Sequence, residues 1–277
     1  MPELPDLLHI VSKLRGRLVG LHVASERVTQ PVVLRCLVRG NLSLLLGRRL
    51  QAIQRRSHFL VFSFDGLDLA LNPMLVGRLR LAVPGEMDER ALAFALTFAD
   101  TELRYIDEKR MGKAYLTASG DLGAIPGFHQ GGLEILAPEF TRERLVSLLR
   151  HRRDQVRAFL IDKRALDSLG NAYADEVLFE AGLHPKTFCR SLTHDDAVRL
   201  HSAIVKVMAE AVAEVARRDE PIDVKVRDFL KVRMKATCHR CSAKIRTVGV
   251  NGMDAYFCPT CQPATRPALV DWRKTGG

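Results

Sequence analysis

Four cysteines near the end of the chain, Cys238, Cys241, Cys258 and Cys261, are spaced C-x2-C-x16-C-x2-C. Two such knuckles present four thiolates to one tetrahedral metal ion, and the stretch between them suits a short β-hairpin. Asn251-Gly252 places a tight-turn dipeptide inside that stretch. Because protein fills all four positions, the spacing predicts one structural Zn2+ and not a catalytic one. The competing reading is four unrelated free thiols. Cys36 and Cys189 stand alone among apolar neighbours and read as small buried hydrophobes.

A second reactive group lies at the opposite end. Pro2 follows Met1, and a small second residue permits removal of the initiator. The amine so exposed is secondary, and α-amino groups titrate near 8, well below a lysine ammonium. Attack by such an amine on an aldehyde carbon gives an iminium, the electron sink that β-elimination requires. Glu3 stands beside it as a group able to move protons. On its own, Met-Pro-Glu-Leu-Pro also reads as an ordinary helix start with Pro5 in the first turn.

These groups need elements to hold them. Leu7, Ile10, Val11 and Leu14 form the stripe of an amphipathic helix over 4–15, with Gly16 as its stop. From about 17 to 117 the apolar period changes to two. Leu92, Phe94, Leu96 and Phe98 alternate with small or polar residues, and Asp100-Thr101 turns the chain into Leu103-Arg104-Tyr105. Phe59 to Phe64 reads as another strand closed by Asp65-Gly66. The pattern predicts an antiparallel sandwich or barrel behind one helix. A glycine-rich stretch at 118–132 reads as a linker. Beyond it the periods are helical: after an N-cap at Thr141, at 154–166, at 172–181, and over about 194–217. The expected fold class is α+β. Its boundaries are a β domain at 1–117, the linker, a helical domain at 133–236, a zinc finger at 237–262 and a tail at 263–277.

The chain has 277 residues and 42 Lys+Arg against 32 Asp+Glu, a formal net charge of +10 that predicts a polyanionic partner. Charge alone does not separate nucleic acid from an anionic membrane surface. A hydrophobic content of 47% with 27% charged residues excludes a disordered or collagen-like chain. No run of eighteen apolar residues predicts a membrane span, and the N-terminal stretch does not read as a signal peptide. Clustered cysteines point to metal in a reducing compartment, so a cytoplasmic protein is expected. One Trp and four scattered Tyr argue against a module that stacks RNA bases.

Met-Pro-Glu-Leu-Pro, the double cysteine knuckle and Leu169-Gly170-Asn171-Ala172-Tyr173-Ala174-Asp175-Glu176, in that order and separation, resemble the formamidopyrimidine-DNA glycosylase/endonuclease VIII family. The resemblance extends through Arg55-Arg56-Ser57-His58-Phe59, where that family has a basic hairpin turn, and through Leu103-Arg104-Tyr105-Ile106-Asp107. Ala181-Gly182-Leu183-His184-Pro185 matches the close of its helix–two-turns–helix. The resemblance implies a base excision repair glycosylase with abasic-site lyase activity on double-stranded DNA carrying damaged bases or abasic sites, a nucleoid-associated monomer of bacterial type. Such enzymes extrude the nucleotide, because its sugar carbon is unreachable inside the stack. By the same resemblance Pro2 is the nucleophile, Glu3 the proton-transfer residue and His58 a third catalytic group. Arg55, Arg56, Leu75, Lys109, Arg110, Met111, Arg157 and Asn171 are the implied DNA contacts.

The chain also departs from the family pattern. His58 stands where the family has a lysine, and its charge at neutral pH depends on its surroundings. Met253 occupies the position of the family's finger arginine, while Arg246 lies at the hairpin's opening. Leu75, Lys109 or Arg110, and Met111 replace a Met-Arg-Phe trio, although leucine and methionine can still act as wedges. Asp6 replaces a glutamate, and the stretch from Arg227 to Lys235 is shorter than a lesion-capping loop. These changes imply a non-standard lesion preference. The alternative is a relative that binds damaged DNA and cleaves it poorly or not at all.

Overall fold

A computed structural model describes residues 2–87, 89–129, 131–167 and 169–264; residues 265–277, most of the expected tail, lie outside the described residues. The chain divides into two compact units. One draws on the chain up to Gln130 together with Val212–Val226, and the other on the remainder.

The first unit opens with α1 (Leu4–Leu18), which buries Leu7, Ile10, Val11 and Leu14 as the stripe requires. Gly16 does not stop it. Nothing lies within 4 Å of a Cβ built on that glycine, and the helix runs on until Val19 takes extended angles. Nine strands follow: β1 (Val23–Val28), β2 (Leu34–Cys36), β3 (Leu50–Arg56), β4 (Phe59–Phe64), β5 (Leu67–Asn72), β6 (Arg78–Ala82), β7 (Leu92–Phe98), β8 (Thr101–Ile106) and β9 (Lys113–Ala118). They form a four-stranded sheet in the order β1-β7-β8-β6 and a five-stranded sheet in the order β2-β9-β5-β4-β3. The antiparallel expectation holds except at β2, which runs parallel to β9. A core of aliphatic and aromatic side chains, including Leu14, Ile53, Phe62, Leu71, Phe94 and Leu103, joins α1 to residues from both sheets.

The expected linker is in part a packed element. Ile125 and Phe128 are buried with Phe59, Val61, Ala70 and Tyr115. A glycine-rich composition reported its turns and not its two apolar anchors.

The second unit contains β10 (Leu133–Glu134), α2 (Arg142–Arg150), α3 (Val156–Ile161), β11 (Leu166–Asp167) and α4 (Asn171–Ala181). Thr141 Oγ1 accepts from the Arg144 amide and caps α2 as its sequence predicts. The expected helix at 154–166 is shorter, because its second half turns to pair in parallel with β10 as β11. A helix α5 (His194–Arg218) begins in this unit, and its last residues, from Val212 on, belong to the first unit. The finger follows as β12 (Arg246–Val250) and β13 (Met253–Phe257), antiparallel, with Val250 paired to Met253. Asn251 and Gly252 sit at φ 48° and 76°, the left-handed pair that a tight two-residue hairpin needs. Among the described residues no helix is long and apolar enough to cross a membrane.

Candidate active site and zinc centre

Pro2 is buried at the head of α1. The backbone there is locked by a reciprocal cap: the Glu3 amide donates to Asp6 Oδ2 at 2.8 Å, and the Asp6 amide donates to the Glu3 carboxylate. Asp6 therefore keeps the acceptor that a capping box demands. Both carboxylates are nearly buried, at 7% and 6% exposure, so the two acids nearest Pro2 are held in place and not left to solvent. Pro2, Asp6, His9 and Ile10 of α1 line a pocket with Leu60, Pro73, Gly77, Arg78 and Leu79. Its remaining wall is Val215 and Ile222–Lys225. The space a water molecule can occupy inside is about 20 Å3, room for one water and not for a base.

Two loops of the same unit carry exposed apolar side chains. Leu75, 55% exposed, follows β5, and Met111, 37% exposed, follows β8. One tyrosine fixes both loops. The buried Tyr105 hydroxyl donates to Asp107 Oδ2 and lies where a Cβ on Gly77 or Gly112 would fall 2.1 Å or 1.7 Å from its oxygen. Only glycine fits at either place. Asp107 also accepts from the Lys109 and Gly112 amides. Burial and this carboxylate push the Tyr105 phenol far above its ordinary value, so it stays a neutral donor. Lys109 and Arg110 are exposed, with Arg110 at φ 53°.

At the β3–β4 turn Ser57 takes φ 54°, and Arg55 Nη1 donates to its carbonyl at 2.7 Å. His58 lies beside Phe59, ring centroids 4.6 Å apart and the planes tilted by 35°, with Nδ1 3.1 Å from Ser57 Oγ. Arg55 and Arg56 line a groove with Arg15, Ser12 and Gln54. His58 does not line the Pro2 pocket.

In the second unit Arg157 is fully buried, whereas sequence reasoning placed it on DNA. Its Nε donates to Asp175 Oδ1 at 2.8 Å, and its Nη2 donates to Asn171 Oδ1 and to the Asp254 carbonyl, each at 3.1 Å. Arg233 Nη1 donates to the other Asp175 oxygen at 2.6 Å, and its guanidinium lies 5.1 Å over the Tyr256 ring. Asp175, Glu176 and Arg233 thus organise the start of α4, where Asn171 sits. Glu176 accepts from the amides of Lys231, Val232 and Arg233. Sequence reasoning missed these partners because they stand 14 to 97 residues apart, beyond the reach of any local pattern.

The four finger thiolates lie within 4.8 Å of one another, three pairs being 3.4, 3.6 and 3.8 Å apart. Tetrahedral zinc with Zn–S bonds of about 2.3 Å sets sulfurs about 3.8 Å apart, so the four fit one Zn2+. Backbone amides of Arg240 and Cys261 donate to the Cys238 and Cys258 sulfurs, each at 3.4 Å. Gln262, fully buried, bridges the Cys258 amide and the Leu183 carbonyl. Zinc content should be close to one per chain. Cys258→Ser should lower it and unfold the finger, leaving the thermal transition of the β unit in place. A metal-free chain with an unchanged near-ultraviolet spectrum would contradict this.

His184 packs edge-on against Phe257 of the finger, and its Nδ1 accepts from the Lys186 amide. Burial, with Lys186 adding repulsion, pushes its imidazole down to about 4. The unfolded chain therefore takes this proton first, and stability falls as pH drops from about 6.5 towards 4. At pH 5 the loss from this group is about 2 kcal/mol, read as a lower urea midpoint that His184→Gln makes pH-independent over this range.

Comparison with known proteins covers nearly the whole chain. A family model described as the formamidopyrimidine-DNA glycosylase N-terminal domain matches residues 1–114. The formamidopyrimidine-DNA glycosylase H2TH domain matches 132–219, and a zinc finger found in FPG and IleRS matches 237–264. Formamidopyrimidine-DNA glycosylase of Chloroflexus aggregans is 31% identical, across 95% of this chain and 98% of its own length. That of Desulforamulus reducens is 32% identical, across 95% and 100%. Among solved structures, Lactococcus lactis Fpg in complex with abasic-site DNA superposes with a TM-score of 0.85 at 28% identity, covering 95% of this chain and all of that one. The same protein with Fapy-dG DNA gives 0.85 at 27%, with the same coverage.

Proposed function

This chain belongs to the formamidopyrimidine-DNA glycosylase family of base excision repair enzymes, and from that premise we propose that it excises damaged bases from duplex DNA and cleaves the strand at the abasic site, with Pro2 as nucleophile. The observation that carries this reading is the locked head of α1, where Pro2 opens on a pocket with two buried carboxylates beside it.

With Met1 removed, the Pro2 nitrogen bonds to C1′ while the bond from C1′ to the base breaks. The base leaves with that electron pair and takes up a proton. The Pro2 N–H proton passes to Glu3, and opening of the sugar ring delivers a proton to O4′, leaving an iminium at C1′. Loss of a C2′ proton then expels the 3′ phosphate, because the iminium accepts the electron pair. Leu75 and Met111 serve as wedges in the unstacked duplex. Lys109, Arg110, Arg55, Arg56 and His58 serve as phosphate or sugar contacts, and Asn171 holds the backbone near the lesion. Arg157 acts on DNA through Asn171, since a fully buried guanidinium offers no surface to phosphate. The short connection at Phe229–Lys235, stitched to α4 through Glu176, supports a lesion preference unlike that of relatives with a long capping loop.

Borohydride trapping on duplexes carrying an abasic site or one of several oxidised bases tests the reading. A covalent protein–DNA adduct is expected on the abasic duplex and on a subset of lesions. Tight binding to all of them with no adduct would replace the enzyme with a damaged-DNA-binding protein.

A further inference from the structure

The pocket wall opposite α1 carries a cation that the proposed chemistry leaves unused. After α5, Asp219 adopts φ 54° and its amide donates to the Val215 carbonyl at 3.3 Å, which reverses the chain. The returning segment is pinned to one face of α1. His9 Nε2 lies 2.7 Å from the Glu220 carbonyl, and Lys13 Nζ lies 2.6 Å from Asp219 Oδ2. Ile222 enters the core, and the Val224 amide closes a turn onto the Pro221 carbonyl at 2.9 Å. Residues 219–225 therefore form a fixed strap, and Asp223, Val224 and Lys225 line the pocket with Pro2.

Among the described residues, the other charged groups at or beside this space, Asp223 apart, have a hydrogen-bond or ion-pair partner. Glu3 and Asp6 are committed to their mutual cap. His9 is engaged with the Glu220 carbonyl. Arg78 of β6 is spent on Glu89 at 3.0 Å and Glu108 at 3.2 Å. Asp223, on the strap, feels the charge of Arg80. Lys225 is exposed and has no hydrogen-bond or ion-pair partner among the described residues.

We propose that the Lys225 ammonium holds the Pro2 amine in its unprotonated, nucleophilic form by placing a like charge in the same small pocket. A cation near an amine disfavours a second positive charge, and an activated amine nucleophile beside a cationic group is a recognised solution to this problem. Lys225 is thus a positioning residue for charge, and the inference rests on the reading of Pro2 as the nucleophile. No group on α1 or the sheet supplies an uncompensated cation in its place.

The test is an NMR titration of 13C-labelled Pro2 in the DNA-free protein, with Met1 removal checked by mass. Wild type, Lys225→Gln and Lys225→Arg are compared. Lys225→Gln should raise the Pro2 midpoint by about half a pH unit or more, and Lys225→Arg should leave it in place. In single-turnover cleavage of an abasic duplex, Lys225→Gln should be about threefold slow or worse at pH 6.5 and should recover towards pH 9. Identical Pro2 midpoints in all three proteins would overturn the inference. So would a rise in Lys225→Arg equal to that in Lys225→Gln, since the charge would then be irrelevant. A shifted midpoint in a wild-type protein that never traps on DNA would sustain the charge coupling while removing the proposed reaction.

Discussion

A protein bearing a Gly-Ser extension ahead of Pro2 will cleave an abasic duplex more slowly than the processed protein by a factor on the order of 10³ or more. The extension turns the Pro2 nitrogen into a peptide nitrogen, whose lone pair is delocalised into the carbonyl and no longer attacks carbon. Substrate contacts, the capping box and the zinc finger are all left in place, so binding to the abasic duplex should change little. Pro2→Gly is the graded companion. It puts a primary amine in place of the secondary one and loses the ring that fixes φ, and a loss of about 10- to 100-fold is expected. Single-turnover rates on a denaturing gel, with borohydride adducts quantified alongside, separate the three proteins. Parent-like cleavage by the extended protein would take Pro2 out of the reaction.

Asp175→Asn should destabilise the second unit by about 3–5 kcal/mol, the usual cost of breaking a buried ion pair from one side. Asp175 is fully buried and receives Arg157 at 2.8 Å and Arg233 at 2.6 Å on its two oxygens. An asparagine of the same shape leaves no cavity. The cost is therefore electrostatic: one fully buried guanidinium loses its counter-charge and cannot reach water. Arg233→Gln should cost far less, because that side chain keeps 24% exposure and its removal leaves the Arg157 pair intact. Urea midpoints of the three proteins give the comparison. Equal losses for Asp175→Asn and Arg233→Gln would show that the carboxylate is not the centre of this network.

How far the sequence could be read follows from the range of the interactions involved. The zinc ligands were legible because two C-x2-C knuckles state their geometry in four letters, and Asn251-Gly252 states the turn between them. The alternation in β7 and the stripe of α1 were equally local signals. Gly16 misled because a glycine on an open helix face costs little when the flanking turns are buried. The two-residue pairing of β10 with β11 has no periodicity to display, so the end of α3 was overrun. The strap at 219–225 was read as part of the helical domain, since nothing in its composition records that His9 and Lys13 hold it. Arg157 was expected to touch DNA because the family resemblance puts a basic residue there, and only the fold shows Asp175 and Asn171 waiting for it.

The Tyr105 hydroxyl, wedged between Gly77 and Gly112, has a consequence for how this protein can evolve. Neither glycine can acquire a side chain without displacing the ring, and the ring cannot move without releasing Asp107 from the loop it holds. The loops carrying Leu75 and Met111 are consequently inherited as one part. Drift that adjusts the reach of this pair has two free letters, Leu75 and Met111 themselves, while the backbone that presents them is closed to gradual change.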